Sequence, residues 1–385
     1  MPTAQLDLAD LLARGAARLT ADLPASPALA ERLTRVLGER LPCRTKIHWI
    51  CPVCRARTVT CTRCGPRCAT CRAAAPPGIN LLRQLPPVPV RHWVLTLPSP
   101  QRFESAGHPR HESTILTTFV RAIFSRLRTS AHDGCGAIVV VHRSGSALDL
   151  NLHLHALVPD GVFHRDHDFT ARALTPDDLT AVARDVHRAL ARLPAATTHD
   201  PALAAVRTTA RPRRTAGRDP RPLAAGTVRA VAGVHLFAGP PLPADDRAAL
   251  RRLCDYITRP ASTRLRRATG TPDELLLPLP PQPDATAHAA LTARDVVARL
   301  VAATPDEPAI TVRTYGALAP RAAHIWQLTR DRQLDLLTAT SPPRPRGPRR
   351  PRCTRCRVAL EALAVEDASD PPALTAAAAA RTDYF

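Results

Sequence analysis

The run Leu148-Asp-Leu-Asn-Leu-His153-Leu-His155-Ala-Leu-Val158 sets two imidazoles two residues apart among alternating apolar side chains. On a strand, successive side chains point to opposite faces. Leu150, Leu152, Leu154, Ala156 and Val158 therefore share one face, and Asn151, His153 and His155 share the other. Leu157 interrupts the alternation. Two neutral imidazoles side by side on a stiff strand suit a divalent cation. The competing reading is two half-exposed strand histidines in a chain that has 15. His142 follows the apolar run Gly136 to Val141, at a turn spanning His142 to Ser146, and either supplies a third ligand across the hairpin or simply ends the strand.

Cysteine carries the second pattern. Cys51-Pro-Val-Cys54, Cys61-Thr-Arg-Cys64 and Cys68-Ala-Thr-Cys71 are three CxxC knuckles in one short segment. Each knuckle can offer two thiolates to one tetrahedral Zn²⁺ at about 2.3 Å, and two knuckles close a structural site. The expected set is Cys51 and Cys54 with Cys68 and Cys71. That leaves Cys61 and Cys64 as a spare pair or in a second site with Cys43 or His48. A redox dithiol would need a βαβ setting and does not come in tandem triplets. Arg55, Arg57, Arg63, Arg67 and Arg72 either grip phosphates or form a solvated basic face.

The third candidate is a phenol. Tyr256, Tyr315 and Tyr384 are the only tyrosines, and Tyr256 sits just before Arg259 and the basic run Arg264, Arg266 and Arg267. A phenol beside guanidinium groups and a metal can attack a phosphodiester, because the cations stabilise both the phenolate and the charge at phosphorus. The alternative is an amphipathic core tyrosine with its hydroxyl at the surface.

These residues need elements to position them. Apolar spacing predicts helices over 28–40, 113–128, 176–193 with Thr175 as N-cap, 245–258 and 291–303. Strands are predicted at 93–97, stopped by Pro98, at 136–141 and 148–158 as a hairpin, and at 310–312. Arg/Pro/Gly-rich stretches at about 207–226 and 342–352 read as arms or linkers. The resulting division is an N-terminal helical segment 1–41, a cysteine-rich zinc module 42–80, a catalytic domain 81–270, an accessory region 271–341, and a Pro/Arg tail 342–385 with a last CxxC.

Composition narrows the partners. Lys+Arg number 53 against Asp+Glu 33, giving a net charge of +20, and Lys46 is the single lysine. Such an excess points to a polyanion, nucleic acid before an anionic membrane surface. Aromatics are 3% of the chain, too few for the bulky anchors of a membrane-surface helix. No run approaches a membrane span, and Asp7, Asp10 and Arg14 interrupt any secretory apolar region, so an intracellular protein is expected. There, 11 cysteines, most in CxxC pairs, indicate metal rather than disulfides.

Taken in order, Pro87-Val-Pro-Val-Arg-His-Trp-Val-Leu-Thr-Leu-Pro98 and Gly145-Ser-Ala-Leu-Asp-Leu-Asn-Leu-His153-Leu-His155-Ala-Leu-Val-Pro-Asp-Gly-Val-Phe163 resemble rolling-circle transposases of the insertion-sequence-ninety-one and ISCR type. The cysteine-rich region upstream, the Tyr256-Ile-Thr-Arg-Pro segment, Val312-Arg-Thr-Tyr-Gly-Ala-Leu-Ala-Pro320 and Cys353-Thr-Arg-Cys356 match the family order. The resemblance implies an α+β fold: an HUH (His-hydrophobic-His) antiparallel sheet flanked by helices behind a small zinc-binding module. It implies Mg²⁺ or Mn²⁺ at His153 and His155, with His142 where relatives often show Gln, and structural Zn²⁺ among Cys51, Cys54, Cys61, Cys64, Cys68 and Cys71. Tyr256 would be the nucleophile, attacking single-stranded or hairpin insertion-sequence ends to leave a 5′-phosphotyrosine and a 3′-hydroxyl that primes synthesis by the host replication machinery.

Arg259, Arg264, Arg266 and Arg267 would contact DNA. Arg252 stands where two-tyrosine relatives carry their first tyrosine, so this chain resembles the single-tyrosine type, for which a homodimer would serve strand transfer. Tyr315, at a position usually histidine in relatives, is the second-choice nucleophile. The stretch 268–283 is shorter than in the family, and the late CxxC lacks the usual Gly pair after it. A cytoplasmic, nucleoid-associated enzyme with no membrane partner is implied. Two other classes compete: a zinc-dependent DNA-binding regulator, or a catalytically decayed transposase. The regulator leaves the His153/His155 strand unexplained. A histidine-triad hydrolase would need His-x-His-x-His, where this chain has Asn151 and Leu157.

Overall fold

The computed structural model describes residues 8–40, 45–55, 57–61, 78–164, 168–195, 200–211, 226–259, 265, 268–271, 273–279, 288–305, 311–319, 322, 353, 356, 358 and 361–367. Helices α1 (Leu8–Asp22) and α2 (Pro27–Arg40) come first, then strands β1 (Thr45–Ile50) and β2 (Arg57–Cys61). The central part runs α3 (Gly78–Leu82), β3 (Val90–Thr96), α4 (Ser99–Ser105), α5 (Pro109–Leu127), β4 (Gly136–Ser144), β5 (Leu150–Pro159), β6 (Gly161–Phe163) and β7 (Phe169–Ala171). It continues through α6 (Pro176–Leu190), α7 (Pro201–Thr209), β8 (Thr227–Val231), β9 (Val234–Leu242) and α8 (Arg247–Ile257). The last elements are β10 (Thr269–Gly270), β11 (Leu275–Pro278), β12 (His288–Leu291), α9 (Ala293–Ala302), β13 (Val312–Gly316) and β14 (Glu361–Asp367).

One six-stranded sheet dominates, in the order β13-β4-β5-β3-β9-β8, with every neighbouring pair antiparallel. The expected hairpin forms as β4 and β5, which lie side by side within this sheet. β4 extends beyond the expected 136–141: His142 lies within the strand, paired with His153, and the register shifts only between His142 and Ser144. One face of the sheet, with Val139, Val141, Leu152, Leu154 and Ala156, packs with Ile115, Leu116, Phe119 and Ile123 of α5 and Leu179, Val182 and Val186 of α6. The opposite face is apolar at one end, where Ile138, Val140 and Leu157 meet Leu81, Leu82 and Leu85 from the α3 region and Leu250, Cys254 and Ile257 of α8. This explains the broken alternation at Leu157: its end of the histidine face is covered by helices.

The local signal acts as expected at the start of α6. Thr175 caps α6 by accepting the Asp178 N–H at 3.2 Å, and the Asp178 carboxylate accepts the Thr175 N–H at 2.9 Å, which satisfies two first-turn donors. α5 starts a turn earlier than apolar spacing indicated, with Pro109 in its first turn, where a missing N–H costs no hydrogen bond.

The regions assigned to separate N-terminal and accessory segments share the main core. Leu11, Leu12 and Leu19 of α1 belong to the same apolar cluster as Val296, Val297 and Leu300 of α9, and β13 forms an edge of the six-stranded sheet. The expected boundary at residue 270 therefore does not separate the sheet from α9 and β13. A second sheet, in the order β14-β1-β2, joins a strand near the C-terminus to the cysteine-rich segment.

Two largely buried ion pairs, each with a buried carboxylate and a partly exposed arginine, fasten the frame around the hairpin. Arg91 of β3 donates from Nε and Nη2 to the Asp160 carboxylate, both at 2.7 Å, and from Nη1 to the Gly239 carbonyl at 2.8 Å. Next to it, a Cβ on Gly161 would lie 2.1 Å from the Thr170 carbonyl oxygen, so the β6–β7 approach requires glycine. The Pro-Asp-Gly motif after the histidine strand thus has a structural reason. On the other side, Arg143 donates from Nε and Nη2 to Glu112 at 2.6 and 2.5 Å, with the Glu112 side chain only 1% exposed. Removing one partner of such a pair leaves an uncompensated buried charge. Glu112→Gln is expected to lower unfolding stability by about 3–5 kcal/mol, read from the urea midpoint; an unchanged midpoint would show that the pair contributes nothing net.

Candidate metal centre and nucleophile

Register builds the histidine site. His142 pairs with His153 across β4 and β5, while His155 pairs with Val140 on one side and Val94 of β3 on the other. All three imidazoles therefore rise from one face. One ligand atom from each of His142, His153 and His155 lies within 4.8 Å of the others, and the ring centroids are 4.5 to 5.2 Å apart. His155 is buried and the other two are half-buried.

Outer hydrogen bonds set which nitrogen each ring offers. A neutral imidazole has one N–H and one lone pair, so an N–H given to a carbonyl leaves the lone pair on the other nitrogen. His142 Nε2 lies 2.6 Å from the Ile257 carbonyl oxygen, which assigns the lone pair to Nδ1. His153 Nδ1 lies 3.0 Å from the Asn151 carbonyl oxygen, which assigns it to Nε2. This is the outer-shell arrangement that orients histidine ligands. Burial, and after it the charges of His153, His142 and His92, pushes the His155 pKa well below the ordinary histidine range. The neutral form that a metal ligand requires is thus the one present at neutral pH. The donor set and its fixed tautomers fit a divalent cation.

Tyr256 stands over this patch. It lies in the last turn of α8, is 44% exposed, and its ring meets His155 edge-on with centroids 6.0 Å apart. The His142–Ile257 bond ties the residue after Tyr256 to a member of the histidine group. Arg252 and Tyr256 are exposed and four residues apart on α8, so they share one stripe of the helix, and the exposed Arg259 follows just past the helix end at Thr258. At the residue preceding Tyr256 on the same helix, a Cβ on Gly78 would lie 2.5 Å from the Asp255 backbone nitrogen. α3 and α8 can approach this closely only because residue 78 has no side chain.

Tyr315 occupies a different place. It pairs with Ala137 on β13, on the sheet face opposite Ile138, Val140 and His142, and it packs half-buried against the main core. Burial raises its pKa, which disfavours the phenolate. Arg264, Arg266 and Arg267 lie outside the described residues.

The sulfur site differs from the expected one. Cys51 and Cys54 meet Cys353 and Cys356, with all four sulfurs within 4.8 Å of one another. The Cys54 N–H points to Cys51 Sγ and the Cys356 N–H to Cys353 Sγ, each at 3.4 Å, so both CxxC segments are knuckles. Arg55, directly after the first, has φ of 60°. In β1 and β14, Ile47 pairs with Val365 and Thr45 with Asp367, which carries the late CxxC to the early one. Cys68 and Cys71, the expected partners, lie outside the described residues, as do Cys64 and the side chain of Cys61. Contacts with Cys54 and Cys51 push the Cys356 thiol up to about 12. Four thiols crowded in this way favour a cation, whose charge reverses that shift and holds them as thiolates.

Sequence reading also missed His92 of β3, whose Nε2 lies 3.0 Å from His155 Nδ1. Its alternating place in Val90-Arg-His-Trp-Val94 was the available signal, but no short-range spacing links it to His155.

Residues 136–324, just under half of the chain, match the family model described as "Putative transposase". No curated protein and no solved structure shows significant similarity to the chain. Among the described residues, no helix is long and apolar enough to cross a membrane.

Proposed function

We propose that this chain is an HUH-type transposase that cuts and rejoins single-stranded DNA at the ends of a mobile element. The observation that carries the reading is the convergence of three histidines, two with carbonyl-fixed tautomers, and one exposed tyrosine on a single face of the sheet. The transposase match over 136–324 covers both the histidines and Tyr256. A charge of +20 suits a polyanionic substrate. A zinc-dependent DNA-binding regulator would account for the charge and the cysteines, but has no use for the histidine group.

His142, His153 and His155 would hold Mg²⁺ or Mn²⁺, which when bound supplies Lewis-acid polarisation of the scissile phosphate. The protein's own residues do the rest. The Tyr256 phenolic oxygen forms a bond to phosphorus, the bond from phosphorus to the 3′-oxygen breaks, and the phenolic proton is made up on that oxygen. The products are a 5′-phosphotyrosine and a free 3′-hydroxyl, the end that would prime rolling-circle synthesis by host enzymes. Arg252, on the stripe with Tyr256, and Arg259, just past the helix end, neutralise phosphate charge and favour the phenolate. The His142–Ile257 bond keeps the attacking helix registered against the histidines. With a single tyrosine in place, rejoining a second strand calls for reuse of Tyr256 or for a second copy of the chain.

Strand polarity tests this. With Mn²⁺ and oligonucleotides spanning the element ends, the 5′-labelled product should be released and extendable by a polymerase, and the 3′-labelled product should stay on the protein. The opposite polarity would contradict the reading.

Cys51, Cys54, Cys353 and Cys356 would hold a structural Zn²⁺ that fastens β14 to the N-terminal sheet. Cys353→Ser is expected to lower the zinc content by one ion per chain and to make the buried Cys51 reactive to thiol reagents. Unchanged zinc content would remove Cys353 from the ligand set.

A further inference from the structure

Two of the three site histidines donate their outer N–H to backbone carbonyls, so their tautomers are fixed by groups that can only accept. His155, the most buried of the three, is different. Its outer Nδ1 faces not a carbonyl but the Nε2 of His92, at 3.0 Å. The two ring planes are within 6° and the centroids are 5.2 Å apart. The N···N distance and the two ring radii together span almost that whole separation. The nitrogens therefore lie on the line between the centroids, and the rings are joined edge to edge by one in-plane N–H···N bond. Phe237 of β9 meets the His92 ring at 72° with centroids 6.3 Å apart, which holds it in that plane.

Such a bond can run either way. If His155 Nδ1–H donates and His92 Nε2 accepts, the His155 lone pair is on Nε2, toward His142 and His153. If His92 donates, His155 carries its proton on Nε2 and cannot ligate with that atom.

We infer that His92 is a positioning residue that accepts the His155 Nδ1–H and thereby holds His155 in its metal-binding tautomer. The inference rests on the proposal that the three histidines bind a divalent cation. His92 does not ligate in this scheme; it acts only through His155. With it, each of the three ligands has an outer acceptor: the Ile257 carbonyl, the Asn151 carbonyl and an imidazole from the neighbouring strand.

The test uses the full-length protein without DNA, with Mn²⁺ as the probe monitored by electron paramagnetic resonance, alongside melting of the metal-free chain. His92→Phe keeps a flat ring in the slot but cannot accept the hydrogen bond. His92→Gln restores an acceptor oxygen. The expected result is Mn²⁺ affinity weakened roughly 10–100-fold in His92→Phe, substantial recovery in His92→Gln, and similar melting temperatures for both. Wild-type affinity in His92→Phe would overturn the inference while leaving the metal reading intact. Equal losses in both variants, with matching falls in melting temperature, would also overturn it by reducing His92 to packing. No Mn²⁺ uptake by the wild-type chain, when His153→Ala behaves identically, would overturn the metal reading itself and this inference with it.

Discussion

A Tyr256→Phe chain is expected to bind single-stranded DNA as the wild type does and to form no covalent adduct with it. The substitution removes one hydroxyl from a side chain that is 44% exposed at the end of α8. Stability should change by no more than about 0.5 kcal/mol. The arginines that would neutralise phosphates are untouched, so affinity and its salt dependence should persist. What disappears is the oxygen proposed to bond to phosphorus, and adduct yield should fall at least ~1,000-fold. Tyr315→Phe is the matched control. Tyr315 is on the opposite face of the sheet from the histidines, so adduct yield in that variant should stay at the wild-type level. Adduct retained in Tyr256→Phe and lost in Tyr315→Phe would exchange the two roles and require the site to be on the other face.

The second large effect is expected from His153→Ala combined with His155→Ala. These residues supply two of the three imidazoles of the group, and a single remaining histidine does not make a site for a weakly binding divalent ion. Metal-dependent cleavage should fall at least ~1,000-fold, measured by product formation across a Mn²⁺ titration, with binding of uncleaved DNA retained. The zinc content should not change, because the cysteine quartet lies in turns beside a separate sheet. His153→Ala alone is the gentler variant: His153 is half-buried, whereas removing His155 also deprives His92 of its partner. Cleavage that keeps its metal dependence in the double variant would mean that the ion binds elsewhere.

The parts of this site readable from sequence are those encoded over short distances. Alternation put His153 and His155 on one face, and their neighbours Leu152, Leu154 and Ala156 are indeed in the core on the other. The turn after β4 brought His142 opposite His153, although the strand runs past the position where a turn was expected. Thr175 and Pro176 marked a helix start because capping is a matter of a few adjacent residues.

Other features required the third dimension. His92 reaches His155 only because β3 lies beside β5, a pairing between strands over 50 residues apart. Cys353 reaches Cys54, with their sulfurs 3.6 Å apart, because β14 returns to β1, so proximity in sequence pointed to Cys68 and Cys71 instead. β9 carried two contrary signals. Its turn from β8 is Ala232-Gly233, both at positive φ, rather than an asparagine-glycine pair, and Pro240 and Pro241 lie near its end. The prolines are tolerated because they fall beyond the last pairing with β8, at Ala238, and next to the register shift between Arg91 and Trp93 of β3.

The most direct test of the central claim is to identify the residue that becomes linked to DNA. Full-length protein is incubated with labelled single-stranded oligonucleotides spanning the element ends and Mn²⁺, with a chelator control, resolved under denaturing conditions, and the linked peptide is mapped by mass spectrometry. A metal-dependent nucleotide adduct is expected on the peptide containing Tyr256. An adduct on any other residue, or cleavage with no protein linkage at all, would contradict it.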